Sequence, residues 1–150
     1  MSKCDDLPFE ITLEVRDTCL CLHLQRAARA VARRFDASLR PLGLTSGQFS
    51  LLMSLNRPEA ASIGDVASLL AMDRTTLTAN LKPLERRGFV TVAADNADKR
   101  TRRLRLTPAG RALLRAAAPA WRRTHAEIEC LLAGPPQIGC GRICARFPEL

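Results

Sequence analysis

The sequence has few of the side chains that enzymes use for acid–base chemistry. It contains two histidines and no tyrosine, and only one of its 150 residues is tryptophan. Few groups therefore titrate near neutral pH. A glycine-rich phosphate loop, a Gly-x-Ser-x-Gly elbow and paired histidines at metallohydrolase spacing are also absent. We therefore expect a protein that is not an enzyme, with no cofactor and no resident metal ion.

Long apolar segments are missing as well. No apolar run reaches the roughly 18 residues that a membrane-spanning helix needs. The first six residues lack the apolar core of a secretory signal. These absences predict a cytoplasmic protein without a membrane partner. In that compartment the six cysteines are expected to be reduced thiols rather than a disulfide framework.

Positive charge, by contrast, is abundant and concentrated. The formal net charge is +8, which predicts a polyanionic partner. Between residues 74 and 106, nine basic residues outnumber three acidic ones, so this stretch contributes +6 of the total. A charged run is often only a solvated face. A helix followed by a hairpin would instead bring these cations to one side of a domain.

Hydrophobic periodicity predicts helices in the first half of the chain. Apolar residues recur at three- and four-residue steps over 13–39, which indicates one long amphipathic helix. A second helix begins after Thr45, where a glutamine three positions later completes a capping box. A short third helix covers 62–70. A fourth covers 74–87, with Asp73 as its N-cap.

The periodicity then changes to that of a hairpin. Residues 89–93 and 103–107 are predicted strands, joined by turn-forming residues at 95–98. A last helix begins after Thr107 and ends before a Gly-Pro-Pro sequence, and Pro119 is expected to kink it. Helix, helix, short helix, turn, helix and hairpin is the order of a winged helix-turn-helix.

The predicted fold class is mainly α with a two-stranded β-wing, plus N- and C-terminal dimerisation helices. Residues 41–107 form the winged helix-turn-helix DNA-binding lobe, and residues 1–40 and 108–150 form the helical dimerisation region. One small lobe cannot easily cover the apolar stripes of the flanking helices, which favours a homodimer over packing within one chain. The stripes include Leu13, Leu20, Leu24, Leu114, Trp121 and Leu132.

The predicted partner is a double-stranded DNA operator. In a winged helix-turn-helix, the helix after the turn enters the major groove, and we expect the hairpin loop to reach the backbone or the minor groove. Hydroxyl groups and long cationic side chains can form hydrogen bonds with DNA phosphates and with the edges of bases. Asp98 is expected to orient the Arg100 guanidinium as a bidentate partner, and it can also act as a turn former. The predicted DNA-binding residues are Arg74, Thr75, Thr76, Thr78, Lys82, Lys99, Arg100 and Arg102.

Several segments carry a resemblance to a known family. They are Leu42-Gly43-Leu44-Thr45, Asp65-Val66-Ala67, Leu84-Glu85-Arg86-Arg87-Gly88, the wing Asp98-Lys99-Arg100 followed by Arg103-Leu104-Arg105, and Leu106-Thr107-Pro108-Ala109-Gly110. In this order they resemble the MarR family of bacterial transcriptional regulators over about residues 18–133. The resemblance implies a homodimer on a pseudo-palindromic operator, and a repressor that a small ligand or an oxidant releases. The tail after Gly134 departs from the family pattern, in which a dimerising helix continues.

The cysteines support a second, redox hypothesis within this resemblance. Cys21 resembles the sensing thiol of the organic-hydroperoxide repressors, a subgroup of the family, and Cys130 of the other subunit would be its resolving thiol. The tyrosines that polarise the thiolate in that subgroup are absent here. One alternative is that Cys19 and Cys21 are small packing residues. Another is a soft-metal site of Cys130, Cys140 and Cys144, although their spacing matches no common zinc pattern.

The resemblance also implies an effector pocket between the dimerising helices and the DNA-binding lobe. Its candidate lining is Leu22, Arg26, Phe49 and Met53, with Arg26 able to hold an anionic aromatic ligand. Core packing is the alternative for the three apolar residues. A third hypothesis for the whole chain is a basic architectural protein that binds DNA without a defined sequence or an effector.

Overall fold

The computed structural model describes residues 7–95 and 98–132, most of which lie in helices around one small sheet. The helices are α1 (Phe9–Thr18), α2 (Leu20–Leu39), α3 (Ser46–Ser54), α4 (Ile63–Leu69), α5 (Arg74–Arg86) and α6 (Pro108–Leu132), and a 3-10 turn (Arg40–Leu42) follows α2. The strands are β1 (Ala61–Ser62), β2 (Val90–Ala94) and β3 (Arg102–Leu106). The predicted mainly α winged helix-turn-helix fold, with helices before and after the lobe, is confirmed. Pro119 lies inside α6 without ending it.

The first predicted helix is wrong in one respect, because it is two helices. The chain breaks at Cys19, whose backbone is extended with ψ of 105°. Side chains satisfy two of the carbonyls at the end of α1, since the Thr18 hydroxyl donates to the oxygen of Glu14 at 2.8 Å and a ring nitrogen of His23 lies 3.2 Å from that of Asp17. The apolar periodicity continues across this single residue and therefore did not reveal the break.

The helix starts are set by local capping, as predicted. The side chains of Thr45, Ser62, Asp73 and Thr107 each accept a hydrogen bond from the backbone amide three residues later, at distances between 2.8 and 3.2 Å. Hydrogen bonds from Ser62, first from its side chain and then from its backbone, hold the pKa of Asp65 below its ordinary value. The Thr107 hydroxyl also donates to the Gly88 oxygen at 2.7 Å, which ties the start of α6 to the end of α5.

The hairpin is part of a three-stranded antiparallel sheet with the order β1-β3-β2. Val90 pairs with Leu106 and Ala94 with Arg102, so the wing strands run in full register. The additional strand, β1, pairs with the middle of β3 opposite Leu104. A two-residue strand has no periodicity of its own, and the sequence did not predict it.

One continuous core joins the winged lobe to the flanking helices. Leucines of α2, α3, α5 and β3 are fully or nearly fully buried in it. Above them, Trp121 of α6 stacks on Phe35 of α2 and Phe49 of α3, with ring centroids 6.4 and 6.2 Å apart. These three rings connect the two helices that flank the lobe with the first helix of the lobe itself.

The ends of the molecule, in contrast, expose large apolar side chains. Those just before and on α1, at the start of α2 and at the end of α6 include Leu7, Phe9, Ile11, Val15, Leu20, Leu24, Leu131 and Leu132. Of the stripe residues singled out in the sequence, Leu114 is buried within its own chain and Trp121 is half-buried in the aromatic stack. No membrane-spanning segment is found among the helices of residues 7–95 and 98–132.

The contact between α6 and the wing leads to a stability prediction. A Cβ added to Gly110 would lie 2.2 Å from the backbone oxygen of Phe89, which cannot move without disturbing the sheet. We expect Gly110→Ala to lower the free energy of unfolding by about 2–3 kcal/mol, as measured by urea denaturation.

Gly47→Ala is the matched control, because nothing lies within 4 Å of the added atom. It should leave stability unchanged or raise it by up to about 1 kcal/mol. Equal stabilities for the two variants would contradict the described close approach of α6 to the backbone of Phe89, just before β2.

Candidate nucleic-acid interface

Helix α5 occupies the position of the recognition helix, and its first turn is tightly capped. The Asp73 carboxylate accepts hydrogen bonds from the Thr76 amide at 2.8 Å and the Thr76 hydroxyl at 2.5 Å. These bonds, the side-chain one first, hold the pKa of Asp73 below its ordinary value. The helix therefore begins at a defined residue. The position of every later side chain along the helix axis follows from that start.

The core determines which side of α5 faces outward. Leu77, Leu81 and Leu84 are buried on one side of the helix. Successive residues of an α-helix are rotated by about 100° around its axis. The side of α5 directly opposite the three leucines therefore carries a stripe of exposed residues. We call it the outer stripe, and its members are Thr75, Ala79, Lys82 and Arg86.

The outer stripe contains two predicted DNA-binding residues and two that the sequence reasoning missed. Thr75 and Lys82 lie on it, whereas Arg74 and Thr78 lie on one flank and Thr76 on the other. Arg86 and Ala79 were not predicted. Ala79 lies four residues after Thr75 and Arg86 eleven, both opposite the leucines, and this spacing was the signal that could have found them.

The three predicted threonines have different hydrogen bonds. The Thr76 hydroxyl donates to the N-cap, and the Thr78 hydroxyl donates to the backbone oxygen of Arg74 at 2.7 Å. Among the residues described, none accepts from or donates to the Thr75 hydroxyl. The guanidinium of Arg74 lies over the first turn of α4, where a Cβ on Gly64 would be 3.3 Å from its Nη2. Thr75 is therefore the hydroxyl most available to an external partner.

The wing carries exposed cations at its tip, as predicted. Lys99 and Arg100 occupy the turn between β2 and β3, and Arg102 is exposed at the start of β3. Asp98 does not bind the Arg100 guanidinium. Its carboxylate accepts from the Arg100 backbone amide at 3.0 Å and from the Thr101 hydroxyl at 2.8 Å, because these donors lie within the same tight turn. Asp98 is thus the turn former, and it holds the backbone that carries the tip.

Other basic residues of this region have structural partners. Arg103 forms an ion pair with Asp95, which raises the pKa of the guanidinium above its ordinary value. Arg105 donates to the Pro58 oxygen at 3.2 Å. Arg87 donates to the Gly43 oxygen at 2.7 Å and lies 4.8 Å from the ring centroid of Phe89.

The remaining cations are not paired in this way. Within residues 7–95 and 98–132, Lys82, Arg86, Lys99, Arg100 and Arg102 have no carboxylate partner. They lie on the outer stripe and at the wing. The chain therefore presents uncompensated positive charge on the two elements that a winged helix-turn-helix applies to DNA.

A cavity of about 480 Å³ lies between α3, α4 and α6. Phe49 and Met53 line it, as predicted, but Leu22 and Arg26 lie on α2 and do not. Apolar side chains of α4 and α6 line the cavity in their place. The lining is Phe49, Ser50, Met53, Ser54, Leu69, Leu70, Ala118, Trp121 and Arg122.

None of the three cysteines in the described part of the chain is fully buried. Cys19 is half-buried at the break between α1 and α2, and Cys21 and Cys130 are exposed. The side-chain amide of Gln25 donates to the Cys21 sulfur at 3.3 Å. Cys140 and Cys144 lie outside the described residues. Within the described ranges, no three histidine, cysteine or acidic residues are grouped so that they could hold a metal ion.

Comparisons with known proteins agree on one family. Residues 44–101 match the model of the MarR family. The transcriptional regulator TtmR of Methylorubrum extorquens is 37% identical over 97 residues, which are 65% of this chain and 50% of TtmR. The transcriptional activatory protein BadR of Rhodopseudomonas palustris is 34% identical over 95 residues, 61% of this chain and 54% of BadR. The match thus spans about half the length of these curated relatives.

A solved structure covers more of the chain. The M. tuberculosis transcriptional regulator MosR in complex with DNA has 36% sequence identity and a TM-score of 0.77, over 87% of this chain and 93% of that one. The chain belongs to the MarR family, whose members are transcription regulators and not enzymes.

Proposed function

We propose that the chain is a homodimeric, sequence-specific DNA-binding transcription regulator that represses its target genes. The observation that carries this proposal is the outward placement of unpaired cations and an unpaired hydroxyl on α5 and the wing. The complex of MosR with DNA supports it by analogy. Residues 41–107 would bind DNA, and residues 1–40 and 108–150 would form the dimer.

The exposed apolar ends support dimerisation. Phe9 is 67% exposed, Leu20 63% and Leu131 65%, which is unusual for three large apolar side chains in one small protein. They lie on helices that come from both ends of the chain. A two-fold dimer that buries these surfaces would place two copies of α5 about 34 Å apart, one turn of the DNA helix.

The cavity between α3, α4 and α6 supports an effector site. Apolar side chains and Trp121 form most of its wall, and Arg122 adds a cation. This lining fits a small aromatic or apolar molecule with an acidic group. Because α4 leads directly into α5, a ligand bound there would alter the orientation of the recognition helix and release the operator.

Selection of bound duplexes from a random pool, followed by footprinting, tests the proposed function. We expect a pseudo-palindrome in which the dimer protects two half-sites whose centres lie about 10 base pairs apart. Protection that shares no sequence would instead favour an architectural DNA-binding protein and would overturn the proposal.

The wing contact is tested by the salt dependence of binding. Arg100→Ala removes a phosphate contact, so we expect a roughly tenfold loss of affinity at about 0.1 M salt for all duplexes. The slope of log K against log salt should fall by about one unit for each subunit. Arg115→Ala removes the same charge from an exposed position of α6 and should leave the slope unchanged. A slope unchanged in Arg100→Ala would show that the wing does not bind phosphate.

The second candidate function is a regulator that releases DNA when an oxidant reacts with Cys21. The exposure of Cys21 and its hydrogen bond from Gln25 favour this function. A hydroperoxide would oxidise the Cys21 thiol to a sulfenic acid and leave as the alcohol. The sulfenic acid would then condense with the thiol of Cys130 from the other subunit, with loss of water.

Mobility shifts with and without cumene hydroperoxide decide this candidate. We expect the oxidant to release DNA from the wild type but not from Cys21→Ser, and a disulfide-linked dimer to form only when Cys130 is present. Cys19→Ser is the matched control and should behave as the wild type. Release that survives Cys21→Ser would rule out this thiol as the sensor.

A further inference from the structure

The first half of the outer stripe carries no long side chain. Thr75 and Ala79, one helical turn apart, are exposed and small, whereas Lys82 and Arg86 follow them towards the end of α5. Long side chains hold a helix away from the floor of a groove, and small ones allow its backbone to approach. The beginning of the outer stripe can therefore approach base edges closely, and the cations at its end can reach phosphates.

Ala79 stands near the centre of this surface. It offers only a methyl group, which can neither donate nor accept a hydrogen bond. The one apolar group that a base pair presents in the major groove is the C5-methyl of thymine. A buried alanine against a cytosine amino group or a guanine oxygen would instead leave that polar group without a partner.

We propose that Ala79 reads the C5-methyl group of one thymine in each operator half-site and so makes that base pair a determinant of specificity. This inference rests on the proposed function. Thr75, whose methyl and unpaired hydroxyl lie one turn earlier, contacts the adjacent base pair. The cations at the end of the stripe contribute affinity that does not depend on sequence.

A methyl scan of the selected operator tests the proposal. Each thymine of a half-site is replaced singly by deoxyuridine, which pairs identically but lacks the methyl group, and affinity is measured by filter binding with the full chain. Burial of one methyl group predicts about a fourfold loss at a single thymine per half-site. The other thymines should change affinity by less than about twofold.

Variants identify the residue that reads the methyl group. In Ala79→Gly, thymine and uracil duplexes should bind equally at the sensitive position. Ala79→Ser lowers the helix propensity less than Ala79→Gly does and should lower the thymine preference below about twofold. Ala116→Gly makes the same change at an exposed position of α6, and should keep the fourfold preference.

The outcomes separate this inference from the proposed function. A defined palindrome without any methyl-sensitive thymine would overturn the role of Ala79 and leave the regulator proposal intact. A fourfold preference that persists in both Ala79 variants would also overturn it. Failure to select any sequence would overturn the proposed function itself.

Discussion

The burial of three leucines on one side of α5 is the constraint on which the candidate interface depends. Leu77, Leu81 and Leu84 are each at most 3% exposed and lie in the shared core. A helix is rigid at about 100° per residue, so fixing these three positions fixes the direction of every other side chain on it. A register shift of one residue would rotate the outer stripe by about 100° around the helix axis. The packing of these leucines in the core therefore determines which side chains α5 presents at the candidate interface.

The basic residues between 74 and 106 serve two separate purposes. Arg87 and Arg105 bond to carbonyl oxygens of distant loops, and Arg103 pairs with the Asp95 carboxylate just after β2. The unpaired cations project from the outer stripe and the wing. A charge count treats both groups alike, although the first stabilises the scaffold and only the second remains available to a polyanion.

Local interactions made much of this fold predictable. The caps at Thr45 and Asp73 and the alternation of the wing strands depend on residues within a few positions, and a sequence displays them directly. Tertiary contacts were not predictable in this way. Arg105 bonds an oxygen 47 residues away, and β1 exists only because β3 pairs with it. The cavity lining was likewise half predicted, since side chains from α3, α4 and α6, which lie far apart in the sequence, meet there.

The aromatic stack has an optical consequence. Trp121 is the only tryptophan of the chain, and there is no tyrosine to compete with its emission. Its indole touches the rings of Phe35 and Phe49 and also forms part of the wall of the cavity. The protein therefore carries a single native fluorophore at the junction between its flanking helices and its DNA-binding lobe. Its emission reports on the polarity of that junction without any label.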